Sequence, residues 1–162
     1  MTGQAKLIAA QDAHFAWMLG EEGGPDGLCL PDGGVDRPAV LKYLRRLAEA
    51  LRSSHGSGSW LVVAAGEVTG LCGYKRCPAA DGVVEIGYGI APSRRRRGLA
   101  TDAVAAMIEH AGADGRITRL TAETAIDNLA SQRVLTKNGF ASTGGRTDPE
   151  DGPLVLWSRE LR

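Results

Sequence analysis

The chain has 162 residues, with 19 Lys and Arg against 19 Asp and Glu and 43% hydrophobic residues, which suits one globular domain and leaves a formal net charge of zero. That balance removes a global electrostatic case for nucleic acid or membrane as partner, so any basic patch must be a local device. Cys29, Cys72 and Cys77 form no paired ligand motif, the start MTGQAKLIAA lacks a leader pattern, and no apolar run approaches the roughly 20 residues of a membrane span; a cytoplasmic, soluble protein with reduced thiols is expected.

In chain order, AKLIAA (5–10) reads as a short strand and AQDAHFAWML (10–19) as a helix with Phe15, Met18 and Leu19 on one face and Trp17 on the other. Residues 20–38 hold six glycines and three prolines, too many turn formers for a regular element; a lid or binding loop and a flexible connector both fit. PAVLKYLRRLAEALRS (38–53) predicts a helix that aligns Val40, Tyr43, Leu44, Leu47 and Leu51, with Pro38 in its first turn. The following SSHGSGS, with Arg52, reads as an exposed connector. SWLVVAAGEVTGLCGYKRC (59–77) predicts a hairpin turning at Gly66 and Glu67, and GVVEIGYGIAP (82–92) a third strand that carries Glu85. A helix over 98–111, a strand over 119–124, a helix over 128–138 and strands over 140–145 and 154–161 complete the chain. The class is mixed α and β, a sheet covered by helices.

SRRRRGLAT (93–101) lies between the third strand of the middle region and the helix that starts near Leu99. A helix start offers unpaired amides and partial positive charge, so it suits an anion, and Gly98 allows close approach to the backbone. No Gly-Lys-Ser/Thr follows, which excludes a nucleoside-triphosphate loop, and the dinucleotide fingerprint is absent. His14, His55 and His110 have no ligand-spaced partners, so no metal is expected. In NLASQRVLTKNGF (128–140), Asp127 or Asn128 can cap a helix, Lys137 complements its last turn, and Gly139 can end it in the left-handed region.

Arg95, Arg96, Arg97, Gly98, Leu99 and Ala100 resemble the Gln/Arg-x-x-Gly-x-Gly/Ala loop of the GNAT superfamily of N-acetyltransferases. NLASQRVLTKNGF resembles the Asn-x-x-Ser-x-x-Val-Leu-x-Lys-x-Gly-Phe helix of the branch that contains the ribosomal-protein N-acetyltransferases. The resemblance covers residues 59–160 in element order. It implies a mixed, mostly antiparallel sheet of six to seven strands flanked by about four helices, with central strands splayed to form an acyl-CoA cleft. One domain over 1–162 is expected, with 1–58 on the acceptor side and 59–162 as the acyl-CoA core. It further implies acetyl transfer from acetyl-CoA to a primary amine, by direct attack through a tetrahedral intermediate. The amine could belong to a peptide N-terminus, an amino acid, a polyamine or an aminoglycoside.

The cofactor-binding residues implied are Ile90, Arg95, Arg96, Arg97, Gly98, Leu99, Ala100, Thr101, Asn128 and Ser131, with backbone donors near Gly89, Ile90 and Ala91 available for the acyl oxygen. Asn128 and Ser131 would face the pantetheine arm and thioester. Glu85 is the first candidate for general base and Glu123 the second. Two departures stand out: Leu135 occupies the place of the family's tyrosine acid, and Arg96 stands where relatives commonly carry Gly. Homodimers are common in the family. A non-catalytic acyl-CoA-binding module and a nucleic-acid patch at the arginines stay open as other classes, the latter opposed by neutral charge and the lack of interleaved aromatics.

Overall fold

A computed structural model describes residues 3–161; Met1 and Thr2, where the expectation about a leader begins, and Arg162 lie outside the described residues. The elements are β1 (Lys6–Ala9), α1 (Asp12–Met18), α2 (Pro38–His55), β2 (Ser59–Ala64), β3 (Glu67–Tyr74), β4 (Val83–Ile90), α3 (Leu99–Ala113), β5 (Arg119–Ala125), α4 (Leu129–Lys137), β6 (Ala141–Asp148) and β7 (Gly152–Glu160), with a 3-10 turn at Pro92–Arg94. Seven strands form one sheet in the order β1-β2-β3-β4-β5-β7-β6. Every neighbouring pair is antiparallel except β4 with β5, which matches the mixed, mostly antiparallel architecture expected.

Alternation along the strands divides the core between the two sheet faces. Val62, Val84, Ile86, Val104, Met107 and Leu120 pack together on the α3 side. Phe15, Leu41, Ala48, Leu61, Val68 and Leu71 pack on the α1–α2 side. Leu120 is fully buried, and truncating such a leucine to alanine typically costs about 2–5 kcal/mol.

Three local expectations change. The hairpin turns at Ala65 and Gly66, not at Gly66 and Glu67, because both take left-handed φ, +50° and +76°; two such residues give the turn that matches strand twist, and Glu67 then opens β3. Helix α2 runs to His55, so residues 52–55 are helical rather than part of a connector; Arg52 donates to the Ala10 carbonyl at 3.0 Å, and Gly56 closes the helix at φ +92°. The buried stripe of α2 is Leu41, Ala48 and Leu51, while Tyr43 remains 54% exposed. Val40, Tyr43 and Leu47 instead line a surface cleft, so the helix serves a core and a cleft with adjacent stripes.

The glycine-rich segment 20–37 is tied down. Cys29 bridges to Glu67, its amide donating to the Gly66 carbonyl at 2.9 Å and its carbonyl accepting from Val68. Ser93 Oγ donates to the Asp32 carbonyl at 2.8 Å, which fixes the same segment to the turn before α3. Trp17 packs against the α1–α2 core and lies against Gly24, where a Cβ would meet its ring, so the tryptophan also braces the loop.

Candidate functional site

Strands β4 and β5 pair only at Val83, Val84 and Glu85 with Arg119, Leu120 and Thr121. Beyond that point β4 continues with β3 and β5 continues with β7, so the two central strands part. In an antiparallel ladder alternate residues turn both backbone groups to one neighbour. The Glu85 carbonyl accepts from Lys75, and the Ala91 amide donates to the Thr69 carbonyl at 2.8 Å, which assigns the odd-numbered residues of β4 to β3. Among the expected donors, therefore, Ala91 is spent and Gly89 faces β3. Ile90, together with Tyr88, turns its amide into the gap.

Below the gap stands the N-terminus of α3. Arg96 and Gly98 take φ of +66° and +77°, with Arg97 between them. Such a reversal of hand turns successive amides inward around an anion. No atom lies within 4 Å of where a Gly98 Cβ would sit, so the approach to the first helical turn is open. The left-handed Arg96 explains the glycine of the family pattern in physical terms: this position requires a conformation that side chains resist.

All ten sequence-predicted cofactor residues, Ile90, Arg95, Arg96, Arg97, Gly98, Leu99, Ala100, Thr101, Asn128 and Ser131, line a single cleft of about 730 Å³. Asn128 caps α4, its Oδ1 accepting from the Ser131 amide at 3.1 Å. Gly139 takes φ +81° just past the helix, and the Asn138 side chain donates to the Thr101 carbonyl at 3.2 Å, which locks α4 to the first turn of α3.

Several residues that the sequence did not assign to the cleft join them. Arg133 and Lys137, one turn apart on α4, add cationic groups to the cleft wall; their four-residue spacing was the available signal. Tyr88 projects from β4 so that its hydroxyl lies 2.6 Å from Ser131 Oγ and donates to the Ser131 carbonyl at 3.2 Å. Burial pushes the Tyr88 phenol up, an effect that the Ser131 hydrogen bond opposes. Leu135, where a tyrosine acid would be expected, is fully buried in the core. Arg94 is the odd member of its run: its guanidinium forms a two-point ion pair with Glu67, Nε to Oε1 at 2.5 Å and Nη2 to Oε2 at 3.0 Å. It pins the loop to the hairpin instead of facing an anion alone.

A second cleft, of about 330 Å³, opens on the other face of the sheet between α2, β3 and β4. Tyr88 and Gly89 line both clefts, so the two meet at the splay. Glu85 lines neither. Its carboxylate is held 2.8 Å from Lys75 Nζ, and the Lys75 chain passes over Gly87. Glu123 accepts from Arg146 at both oxygens, 2.9 and 2.7 Å, and that guanidinium holds its pKa below the usual carboxylate value. The Arg146 pair thus makes Glu123 a poor acceptor of a proton. Among the described residues no group of His, Cys, Asp and Glu could hold a metal ion.

Comparison with known proteins agrees with this geometry. An uncharacterized N-acetyltransferase of Bacillus subtilis (strain 168), YjdG, is 32% identical over 103 residues, 62% of this chain and 61% of that protein. The ribosomal-protein-serine acetyltransferase of Escherichia coli (strain K12) is 30% identical over 78 residues, 48% of this chain and 44% of that protein. The chain thus matches about 61% and 44% of the lengths of these two curated relatives. Among solved structures, RimL, a ribosomal L7/L12 alpha-N-protein acetyltransferase in complex with coenzyme A, shares the fold with a TM-score of 0.73 at 18% identity, over 97% of this chain and 94% of that one. The model of the acetyltransferase (GNAT) domain matches residues 31–141, from the glycine-rich loop to the first residue of β6, and the chain therefore belongs to the GNAT acetyltransferase family.

Proposed function

We propose that the chain is an acetyl-CoA-dependent N-acetyltransferase that acts on a primary amine. One observation carries this reading: a cleft built for a polyanion and a separate, smaller cleft meet at Tyr88 and Gly89, where a donor and an acceptor could touch. The first cleft fits acetyl-CoA by its chemistry, with open helix amides at Leu99–Thr101 and the side chains of Arg95, Arg133 and Lys137 along its walls. Bound there, acetyl-CoA supplies an acetyl thioester.

The residues of the chain then divide the work. The α3 amides and the flanking cations hold the diphosphate, and Asn128 keeps the start of α4 in place. The Ile90 amide, free in the gap, can donate to the acyl oxygen, a kind of contact worth about 3–4 kcal/mol per donor in well-studied enzymes. As the amine nitrogen bonds to the acyl carbon and the carbon–sulfur bond breaks, the amine proton leaves through water toward Glu85. The sulfur takes a proton from Ser131, which Tyr88 resupplies. The free thiols of Cys29, Cys72 and Cys77 support a reducing compartment such as the cytoplasm, and the family habit supports a homodimer.

The test mixes the protein with acetyl-CoA and a panel of primary amines, and measures free thiol and acetylated product together. Stoichiometric release of both is expected. Stabilisation by CoA without turnover on any amine would favour a binding module instead, and absence of CoA binding would overturn the proposal altogether.

A further inference from the structure

The acceptor cleft carries information about the amine, on the premise that the chain is an N-acetyltransferase. Its α2 wall presents Val40, Tyr43, Leu44 and Leu47, and its floor Phe15 and Leu71. Tyr43 is 54% exposed, one of few large apolar side chains left open to solvent among the described residues. Carboxylates nearby are already neutralised: Glu85 by Lys75 at 2.8 Å, and Glu123 by Arg146 at 2.7 Å, an arginine that also reaches Asp148. Lys75 itself lines the cleft, its charge matched by Glu85. Asp36, exposed at the rim, accepts only the Arg37 amide among the described residues and has no cationic side chain within ion-pair distance.

A polyamine or an aminoglycoside carries several ammonium groups, and each needs an anionic or polar partner to offset its lost hydration. One unpaired rim carboxylate cannot serve them. An apolar body, by contrast, would cover Tyr43 and the α2 leucines, and a cavity of about 330 Å³ has the volume for one aromatic side chain and its amine-bearing carbon. We infer that the acceptor is a primary amine carried on an apolar or aromatic body with no second positive charge. Asp36 draws its ammonium group in, and the α2 stripe seats the body.

The test compares kcat/KM for 2-phenylethylamine, for a short peptide with N-terminal Phe, for the same peptide with N-terminal Ser, for spermidine and for kanamycin, at fixed saturating acetyl-CoA. The two Phe-bearing acceptors should exceed spermidine, kanamycin and the Ser peptide by at least about tenfold, or ~1.4 kcal/mol. Comparing the amine with the peptide tells a free arylalkylamine from a peptide terminus. Tyr43→Ala should raise KM for the preferred acceptor about tenfold with unchanged CoA affinity, the readout that separates the cleft from general folding. Preference for spermidine, kanamycin or the Ser peptide overturns this inference and leaves the N-acetyltransferase reading intact. If no amine is acetylated, calorimetric titration of 2-phenylethylamine into the CoA complex decides: binding that Tyr43→Ala weakens supports the cleft assignment while the transferase reading fails, and absence of binding overturns both.

Discussion

Tyr88 and Ser131 face each other across 43 residues of sequence, with their hydroxyl oxygens 2.6 Å apart in the wall of the larger cleft. A thiol of pKa about 8.5 departs tolerably without an acid, so the pair adds a moderate rather than an absolute advantage. Tyr88→Phe should lower kcat about 10- to 100-fold, at or below the lower bound of general-acid effects, with little change in KM for acetyl-CoA. Because the two hydroxyls act in series, the Tyr88→Phe, Ser131→Ala double variant should be no slower than the slower single one; additive losses in steady-state kinetics would show independent roles. Arg96 is the other residue that local chemistry sets apart, since it holds φ +66° without being glycine. A left-handed side-chain residue costs about 1–2 kcal/mol, of which the extra freedom of unfolded glycine returns roughly 0.5–1 kcal/mol. Arg96→Gly should therefore stabilise the protein by about 0.5–1 kcal/mol in urea titration. If the loop binds through its backbone, CoA affinity should stay within about threefold; a larger loss would assign the phosphate contact to the guanidinium.

Helices α2 and α3 end close together, and one ion cluster clasps them: His55 Nε2 lies 2.9 Å from an Asp114 oxygen, and Arg116 Nε reaches the other at 3.0 Å. The Arg116 guanidinium, helped by its backbone amide and by His55, holds the Asp114 pKa at about 2 against an ordinary 3.8. A folded-state pKa below the unfolded one stabilises the fold above the unfolded value and is lost as pH falls through the folded value. Melting temperature should accordingly fall more steeply from about pH 4 to about pH 2 in the native chain than in Asp114→Asn, and the two curves should converge near the acid end. Parallel curves would mean that the clasp contributes nothing that titrates. How much of these elements could be read beforehand follows the range of the interactions. The cap Asn128, the terminator Gly139 and the glycine cradle of α3 are local devices, written within one turn of where they act. The Arg94–Glu67 pair, the Tyr88–Ser131 contact and the anchoring of Cys29 join segments far apart, and no periodicity records them. Helix α2 defeats the rule of one apolar face because it covers a core with Leu41 and Leu51 and lines a cleft with Val40 and Tyr43.

At the scale of the whole molecule, the parting of β4 from β5 bears on the order of events in the proposed transfer. Two clefts on opposite sheet faces share Tyr88 and Gly89, and no atom lies within 4 Å of where a Gly89 Cβ would sit. On the proposed transfer, donor and acceptor can therefore be held at once, each entering from its own side, and direct attack needs no acyl group parked on the protein. The cysteine nearest the junction, Cys72, is only 5% exposed, and burial pushes its thiol well above the ordinary range, so it holds its proton and is a poor nucleophile. Initial rates measured against both substrates should give intersecting double-reciprocal lines, and Cys72→Ser, provided it folds, should keep that pattern. Parallel lines, together with acetyl label retained on protein before any amine is added, would instead require a covalent acetyl-enzyme. Gly89→Val offers the structural counterpart: a side chain at the junction should separate the clefts, so that CoA still raises the melting temperature while transfer falls. For a ligand at about 100 times its Kd that stabilisation amounts to ~2.7 kcal/mol, enough to distinguish a blocked junction from a damaged fold.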